Sequence, residues 1–438
     1  MKHFLLNTLL CIATCAAYNA TAQSTIAVSG KHIIGPCGDT LLLRGVNYAP
    51  YNWGYSDTEL FIDQIALTGA NSVRLVWYKN NPVPAAHVVY SNYDLLDSAL
   101  SKCIQNDIVP ILELHDLTCV NDPAALISLA EWYEEPAVFA LIEKYKHSLI
   151  VNVANEALYV SWTGDVAAGK TAFINAYTTV VTNMRDAGIT TPIMIDGPEC
   201  GNNLNVLADM ATTLQANDPQ HNLIFSAHAY WWAYDSMDSA TSRTMVEYAE
   251  GKNFPLVFGE IANYQDDPEP CTYALPYKAL LNILQEKKIG WLAWSWNNDR
   301  CAARQLTTAG STSSLTTFGT DILTNSNYGL NTMPAAKSQY LIDNGCITST
   351  NDLQKTDDGI RLFPNPAHDQ FYLEIAQASD DTEILISDIS GRKIAHTSQV
   401  LDDGRKYLIS VGSNSPAGIY LLHVRNERSA VVKSLVIR

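Results

Sequence analysis

Leu149-Ile-Val-Asn-Val-Ala-Asn155-Glu156 is a short apolar run that ends in an acid, and Pro255-Leu-Val-Phe-Gly-Glu260 repeats the pattern further along. Both are rich in β-branched and apolar residues without strict alternation, as in parallel strands buried on both faces. A carboxylate at the C-terminal end of such a strand is costly to desolvate unless a site uses it. Working outward, the sequence predicts further strands at Leu41–Asn47, Ser72–Trp77, Val109–His115, Pro192–Asp196, Asn222–His228 and Ile289–Trp296, which with Leu149–Asn155 and Leu256–Gly259 make eight. Helical patterns lie between them at Thr58–Leu67, Tyr93–Gln105, Thr171–Asp186 and Tyr273–Lys287. Eight strands alternating with helices predict an α/β chain folded as a (β/α)8 TIM barrel, which puts Glu156 and Glu260 at one mouth, on strands four and seven. A doubly wound open sheet is the competitor, but Gly45-Val-Asn-Tyr lacks the Gly-rich first turn expected there.

After a polar stretch without periodicity the pattern changes to short alternating strands, Phe371–Ile375, Glu383–Asp388, Lys406–Val411, Ile419–Arg425 and Ala430–Ile437. Turn signals such as Pro364-Asn-Pro366 and Pro416-Ala-Gly418 separate them, which predicts a small all-β sandwich. Every tryptophan falls between Trp53 and Trp296, so the sandwich lacks the flat platforms of a sugar-binding module. The expected boundaries are a signal peptide at 1–22, a barrel at 23–346, a linker at 347–357 and the sandwich at 358–438.

The 438 residues are 47% hydrophobic and 17% charged, the composition of a globular chain with a large core. A formal net charge of -17 argues against nucleic acid and anionic membranes as partners. Lys2 and His3 precede an apolar stretch, and Ala20-Thr-Ala22 offers a cleavage site, so the chain is expected to be secreted or held at the cell surface. Cys11 and Cys15 leave with that signal, and Cys37, Cys103, Cys119, Cys200, Cys271, Cys301 and Cys346 remain. An odd number in an oxidising compartment leaves at least one thiol unpaired, and Cys103, on an apolar helical face, is the expected one. No Cys/His spacing suits zinc, so no metal site is expected.

Cleaving an acetal needs one carboxyl group that is protonated and another that is ionised. Glu156 and Glu260 suit those demands, with Arg74 placed to hold the second ionised and Asn155 placed to bond a sugar hydroxyl. His228 and Tyr230 can orient both. One competing motif fails: Gly164-Asp-Val-Ala-Ala-Gly169-Lys170-Thr171 fits a phosphate-loop pattern but does not directly follow a strand, so no nucleotide is expected.

Several segments together resemble glycoside hydrolase family 5: Arg44-Gly-Val-Asn47, Ala70-Asn-Ser-Val-Arg74, Leu112-Glu-Leu-His115-Asp116, Val153-Ala-Asn155-Glu156, Ser226-Ala-His228-Ala-Tyr230, Phe258-Gly-Glu260 and Gly290-Trp-Leu-Ala-Trp294-Ser-Trp296. The resemblance spans residues 28–345 and is similar to the bacterial β-mannanase branch. It implies a retaining endo-glycosidase acting on β-1,4-mannan, with a β-1,4-glucan as the alternative substrate. It also implies Glu156 as acid/base and Glu260 as nucleophile, with Arg74, His115, Asn155, His228, Tyr230 and Trp294 lining the subsite at the cleaved bond. No cofactor is implied, and the chain is expected to be a monomer. A non-catalytic glycan-binding surface protein is the alternative from another class; it would have lost one acid, and both are present. Ala157 and Gly197-Pro-Glu199-Cys200-Gly201 depart from the mannanase pattern where substrate subsites are built, and Trp162, Trp231 and Trp232 are candidate replacement platforms. At the other end, Leu362-Phe-Pro-Asn-Pro366, Ile386-Ser-Asp-Ile-Ser-Gly391-Arg392 and Pro416-Ala-Gly-Ile-Tyr420 resemble a type IX secretion sorting domain, which implies the type IX machinery as a partner.

Overall fold

The computed structural model describes residues 25–55, 59–82, 90–230, 239–265, 271–346, 360–375, 382–388, 392–402, 405–412, 416–425 and 430–437. The expected signal peptide and linker, and Trp231 and Trp232, lie outside the described residues. The chain divides into two units, Met1–Cys346 and Ile347–Arg438.

The first unit is a closed barrel of eight parallel strands: β1 (Arg44–Tyr48), β2 (Ser72–Trp77), β3 (Val109–Leu114), β4 (Ile150–Asn152), β5 (Ile193–Asp196), β6 (Leu223–Ala229), β7 (Leu256–Ile261) and β8 (Gly290–Ala293). Each pairs with the next, and β8 closes on β1. Every residue in these strands is buried, because helices cover the outside and side chains fill the inside. Val109, Ile111, Ile150, Met194, Ile224, Val257 and Leu292 form one cluster with Ile26, Ile33, Leu41 and Leu43. The last four belong to, or flank, a small antiparallel sheet of Ala27–Ser29, His32–Ile34 and Thr40–Leu41. The apolar run Leu41–Asn47 is therefore shared between two sheets, and β1 begins at Arg44 rather than Leu41.

Among the described residues, three disulfides join Cys37 to Cys346, Cys119 to Cys200 and Cys271 to Cys301, and Cys103 is free. Cys103 is wholly buried on the helix Tyr93–Gln105, and burial pushes its thiol pKa up, which leaves it inert. The phosphate-loop residues do not form a loop. Gly164 ends a short 3-10 turn, Asp165 caps the helix Val166–Asp186, and Gly169, Lys170 and Thr171 lie inside that helix, with Lys170 paired to Asp209.

The second unit packs two antiparallel four-stranded sheets. One has the order β9 (Ile360–Phe363), β10 (Gln370–Ile375), β14 (Lys406–Val411), β13 (His396–Asp402), and the other β12 (Lys393–Ile394), β11 (Glu383–Asp388), β15 (Gly418–Arg425), β16 (Ala430–Ile437). Alternate residues such as Phe371, Leu373, Ile386, Ile409, Leu422 and Leu435 meet in one core between the sheets. The fold is thus a TIM barrel followed by a small β-sandwich, as the alternation of patterns predicts.

Candidate active site

Arg74 on β2 organises the barrel mouth. Its guanidinium is fully buried, and its five N–H donors meet five acceptors. Nε donates to Asn152 Oδ1 at 2.8 Å, Nη1 to Glu260 Oε1 at 2.9 Å and Asn47 Oδ1 at 3.1 Å, and Nη2 to Asn155 Oδ1 at 2.7 Å and Asp196 Oδ2 at 3.2 Å. Burial alone would lower the Arg74 pKa, but the charges of Glu113, Asp196, Glu260 and Glu156 outweigh it and raise it. One fixed cation thus sits among four buried acids.

Glu260 reaches this cation through a break in strand register. β7 pairs regularly with β6 up to Phe258 and Ala227, then slips so that Glu260 lies opposite His228. The extra residue is Gly259, where a Cβ would come within 2.3 Å of Ser226 Oγ. Such a bulge re-aims the following side chain. Both Glu260 oxygens then accept hydrogen bonds, Oε1 from Arg74 and Oε2 from Tyr230 Oη at 2.6 Å.

Glu156 is held differently. β4 ends at Asn152, and Glu156 lies four residues later with a left-handed backbone, φ 52. Its N–H donates to Asp196 Oδ2 at 3.2 Å, and its Oε1 lies 2.7 Å from His228 Nδ1. Burial pushes the His228 pKa down to about 3, and Arg74 and His115 add to the shift against the opposing charge of Glu260. The imidazole is therefore neutral in the native state. Its Nε2 sits 3.5 Å from Asp196 Oδ2. Donor atoms of Glu156, His228 and Glu260 all lie within 4.8 Å of one another.

His115 extends the mouth to one side. Its Nδ1 lies 2.9 Å from Glu113 Oε1, and its ring stacks on Trp294 at 5.6 Å between centroids. The second Glu113 oxygen is 3.7 Å from Arg74, in ion-pair rather than hydrogen-bond range. Trp294 donates its indole N–H to Asp299 Oδ2 at 2.6 Å, and Arg304 clamps that carboxylate at 2.7 Å. Trp53 packs against both His115 and Trp294. A cleft of about 800 Å³ opens beside His115, lined also by Tyr78, Asn80, Asp116 and Thr118.

The closed barrel and this mouth meet a family match over most of the first unit: residues 35–300 fit the model described as cellulase, glycosyl hydrolase family 5. The chain belongs to glycosyl hydrolase family 5. Residues 361–438 fit the model of a secretion system C-terminal sorting domain. The mannan endo-1,4-beta-mannosidase of Cellvibrio japonicus (strain Ueda107) is 30% identical over 314 residues, covering 70% of this chain and 67% of that protein. The protein of the same name from Salipaludibacillus agaradhaerens is 29% identical over 279 residues, covering 62% and 81%. Among solved structures, the mannohexaose complex of the Thermomonospora fusca β-mannanase superposes with a TM-score of 0.60 at 21% identity, over 73% of this chain and 99% of that one. At that identity the likeness speaks for the fold.

In this family 5 glycoside hydrolase, Glu156, Glu260, Arg74, Asn155, His228 and Tyr230 share one hydrogen-bonded network, and His115 touches it through Asn155 at 3.5 Å. Trp294 joins through its stack on His115. Asn155 accepts from Arg74 on its amide oxygen and donates its side-chain N–H to Thr118 Oγ1 at 3.0 Å. Trp162 is half exposed and edge-on to Tyr159, and its backbone N–H donates to Glu199 Oε1 at 3.4 Å. The sequence reading does not single out Glu113, Asp196, Asn152, Glu199 or Asp299. For two of them the signal is present, since Ile193-Met-Ile-Asp196 and Ile111-Leu-Glu113 are also apolar runs that meet an acid.

Proposed function

We propose that this family 5 enzyme is a secreted, monomeric, retaining endo-β-1,4-mannanase, with Glu156 as acid/base and Glu260 as nucleophile. The observation that carries the reading is the contrast between two acids whose oxygens approach within 4.8 Å. That separation suits direct attack on the sugar and leaves no room for an intervening water, the arrangement of retaining enzymes.

The contrast lies in their hydrogen bonds. Glu260 accepts a hydrogen bond on each oxygen, from the Arg74 cation and from Tyr230. Glu156 faces neutral His228. With the imidazole proton on Nε2, which makes no hydrogen bond and lies 3.5 Å from Asp196 Oδ2, Nδ1 is left as an acceptor. The 2.7 Å contact is then made by an O–H of Glu156, the proton that the leaving oxygen needs.

In the first step a Glu260 oxygen bonds to the anomeric carbon as the glycosidic C–O bond breaks and Glu156 gives its proton to the departing oxygen. In the second, Glu156 takes a proton from water, whose oxygen displaces Glu260 from the sugar. The pair carries one negative charge throughout, so Arg74 never faces a change of net charge in a buried site. Mannan as substrate is supported by the names of the Cellvibrio and Salipaludibacillus relatives. A β-1,4-glucan is the second reading, favoured by a relative named beta-mannanase/endoglucanase A from Caldicellulosiruptor saccharolyticus, 30% identical over 273 residues. The sorting-domain match supports export through the type IX machinery, after removal of residues 1–22.

Purified protein assayed on β-mannan, carboxymethyl-cellulose and xylan should cleave mannan fastest. Glu260→Ala should lower that rate by at least ~10⁴-fold, and azide should restore turnover of an activated β-mannoside with inverted configuration. Undiminished hydrolysis by Glu260→Ala removes the assigned roles, and no hydrolysis of any of the three polymers by the wild type removes the reading.

A further inference from the structure

Around Glu156 the backbone is left-handed at five non-glycine residues from three loops: Cys119 after β3, Glu156 and Leu158 after β4, and Glu199 and Cys200 after β5. Residues other than glycine keep such angles only where their surroundings over-determine them. Two devices do so here.

The first is Glu199, 2% exposed, whose Oε1 accepts from the N–H groups of Val160 at 2.5 Å and Ser161 at 2.7 Å, while Oε2 accepts from Asn203 Nδ2 at 2.8 Å. It ties the loop after β4 to the loop after β5. Backbone bonds complete the tie, from Leu158 N–H to Val120 O and from Glu199 N–H to Leu158 O. The second device is the Cys119–Cys200 disulfide, which links the loops on either side of the one that carries Glu156. Its Cys119 sulfur lies 3.5 Å from Glu156 Oε2. An oxidised sulfur has no proton to give, so this contact is a packing contact that fixes where Oε2 sits.

The bridge also reaches Glu156 by a second route. Gly201 follows Cys200, accepts the His228 N–H at 2.8 Å and packs so closely that a Cβ would sit 2.6 Å from His228 Cγ. His228 in turn holds Glu156 Oε1. Each Glu156 oxygen thus touches a residue whose position is tied to Cys200.

We infer that the Cys119–Cys200 disulfide, with Glu199, is a positioning device for the Glu156 carboxyl group, and so controls protonation of the leaving group. This rests on the reading of Glu156 as the acid/base. A bridge that only stabilised the fold would affect all substrates alike. A positioning bridge affects a substrate in proportion to its need for a proton.

The test compares kcat/KM of the full-length wild type and a Cys119→Ala/Cys200→Ala variant on β-mannan and on a 2,4-dinitrophenyl β-mannobioside, whose leaving group needs little protonation. The variant should lose roughly 10–100-fold on mannan and less than about 3-fold on the aryl glycoside. Its rate profile should also lose the alkaline limb of the wild type, and azide should raise its kcat on the aryl substrate, because azide attacks without a general base. Glu199→Gln, which keeps the bridge, should give the same pattern more weakly and serves where the double variant does not fold. Equal losses on both substrates, or none on either, overturn the inference while leaving the glycosidase reading intact. A wild type that cleaves neither substrate overturns both.

Discussion

His228 has one ring nitrogen beside Glu156 and the other beside Asp196, yet it stays neutral because burial lowers its pKa from 6.5 to about 3. An unfolded chain takes up a proton on this ring as the pH falls below 6.5, and the native chain does not until near pH 3. The stability linked to this group is therefore fully present above pH 6.5 and is lost progressively as the pH falls toward 3. Acids such as Asp218, paired with Arg185, add to the same loss, so the informative quantity is a difference. Denaturant unfolding of wild type and His228→Asn between pH 7 and 4 should show the shallower loss in the variant, by up to ~1.4 kcal/mol per pH unit. Parallel curves would mean that the native ring carries a proton. At this scale the sequence is legible where an acid, a histidine or an arginine interrupts an apolar strand, as with Arg74, Glu156 and Glu260. It is less legible for Glu113 and Asp196, because pattern alone does not say which strand acids face the mouth. That depends on register, and the slip at Gly259 leaves no pattern. Glu199 and Asp299 act from loops, whose geometry a single sequence does not encode.

The helix Val166–Asp186 starts five residues before the predicted Thr171, because its first turn carries no apolar periodicity and is fixed instead by a cap. Asp165 Oδ1 accepts from the N–H groups of Ala167 and Ala168 at 3.1 and 3.0 Å, satisfying two donors that the helix cannot pair itself. Gly169 then belongs to the helix because it packs on the preceding turn; a Cβ there would lie 2.6 Å from Val160 O. Asp165→Ala should lower unfolding stability by about 1 kcal/mol while leaving kcat/KM on mannan unchanged, as read by denaturant titration and assay. A fall in activity would show that this cap also sets the loop that carries Glu156. By contrast Ser72–Trp77 and Tyr93–Gln105 are read to the residue, because periodicity runs to both ends. Predicted Leu149–Asn155 shortens to Ile150–Asn152, since beyond Asn152 the pairing turns irregular, with Val153 N–H bonded to Met194 O and Asn155 N–H to Leu114 O, as the backbone turns Glu156 toward the mouth. In the sandwich, β9, β12 and β13 escape notice, β9 and β12 because they are short and β13 because its polar residues mask the alternation.

Each unit of the chain keeps its own core, one from barrel residues and one from residues after Ile360. The Cys37–Cys346 disulfide ties the first unit's two ends together across 309 residues of sequence. A cross-link over so long a loop acts mainly by limiting the unfolded chain, and its loss costs roughly 2–5 kcal/mol. It lies away from the mouth residues, so it should affect stability and not chemistry. Calorimetry of the full chain should therefore resolve a barrel transition and a sandwich transition. Cys37→Ala/Cys346→Ala should lower the first by roughly 5 °C, given the large unfolding entropy of a barrel this size, and leave the second where it was. The same variant should keep the wild-type preference between mannan and the aryl glycoside, in contrast to loss of the Cys119–Cys200 bridge. A shift of both transitions would mean that the two units unfold as one cooperative body, and an altered substrate preference would mean that the terminal tie reaches the mouth. With neither, the two bridges divide their duties by position alone: the one joining the ends of the barrel limits its unfolding, and the one beside Glu156 governs where a proton is delivered.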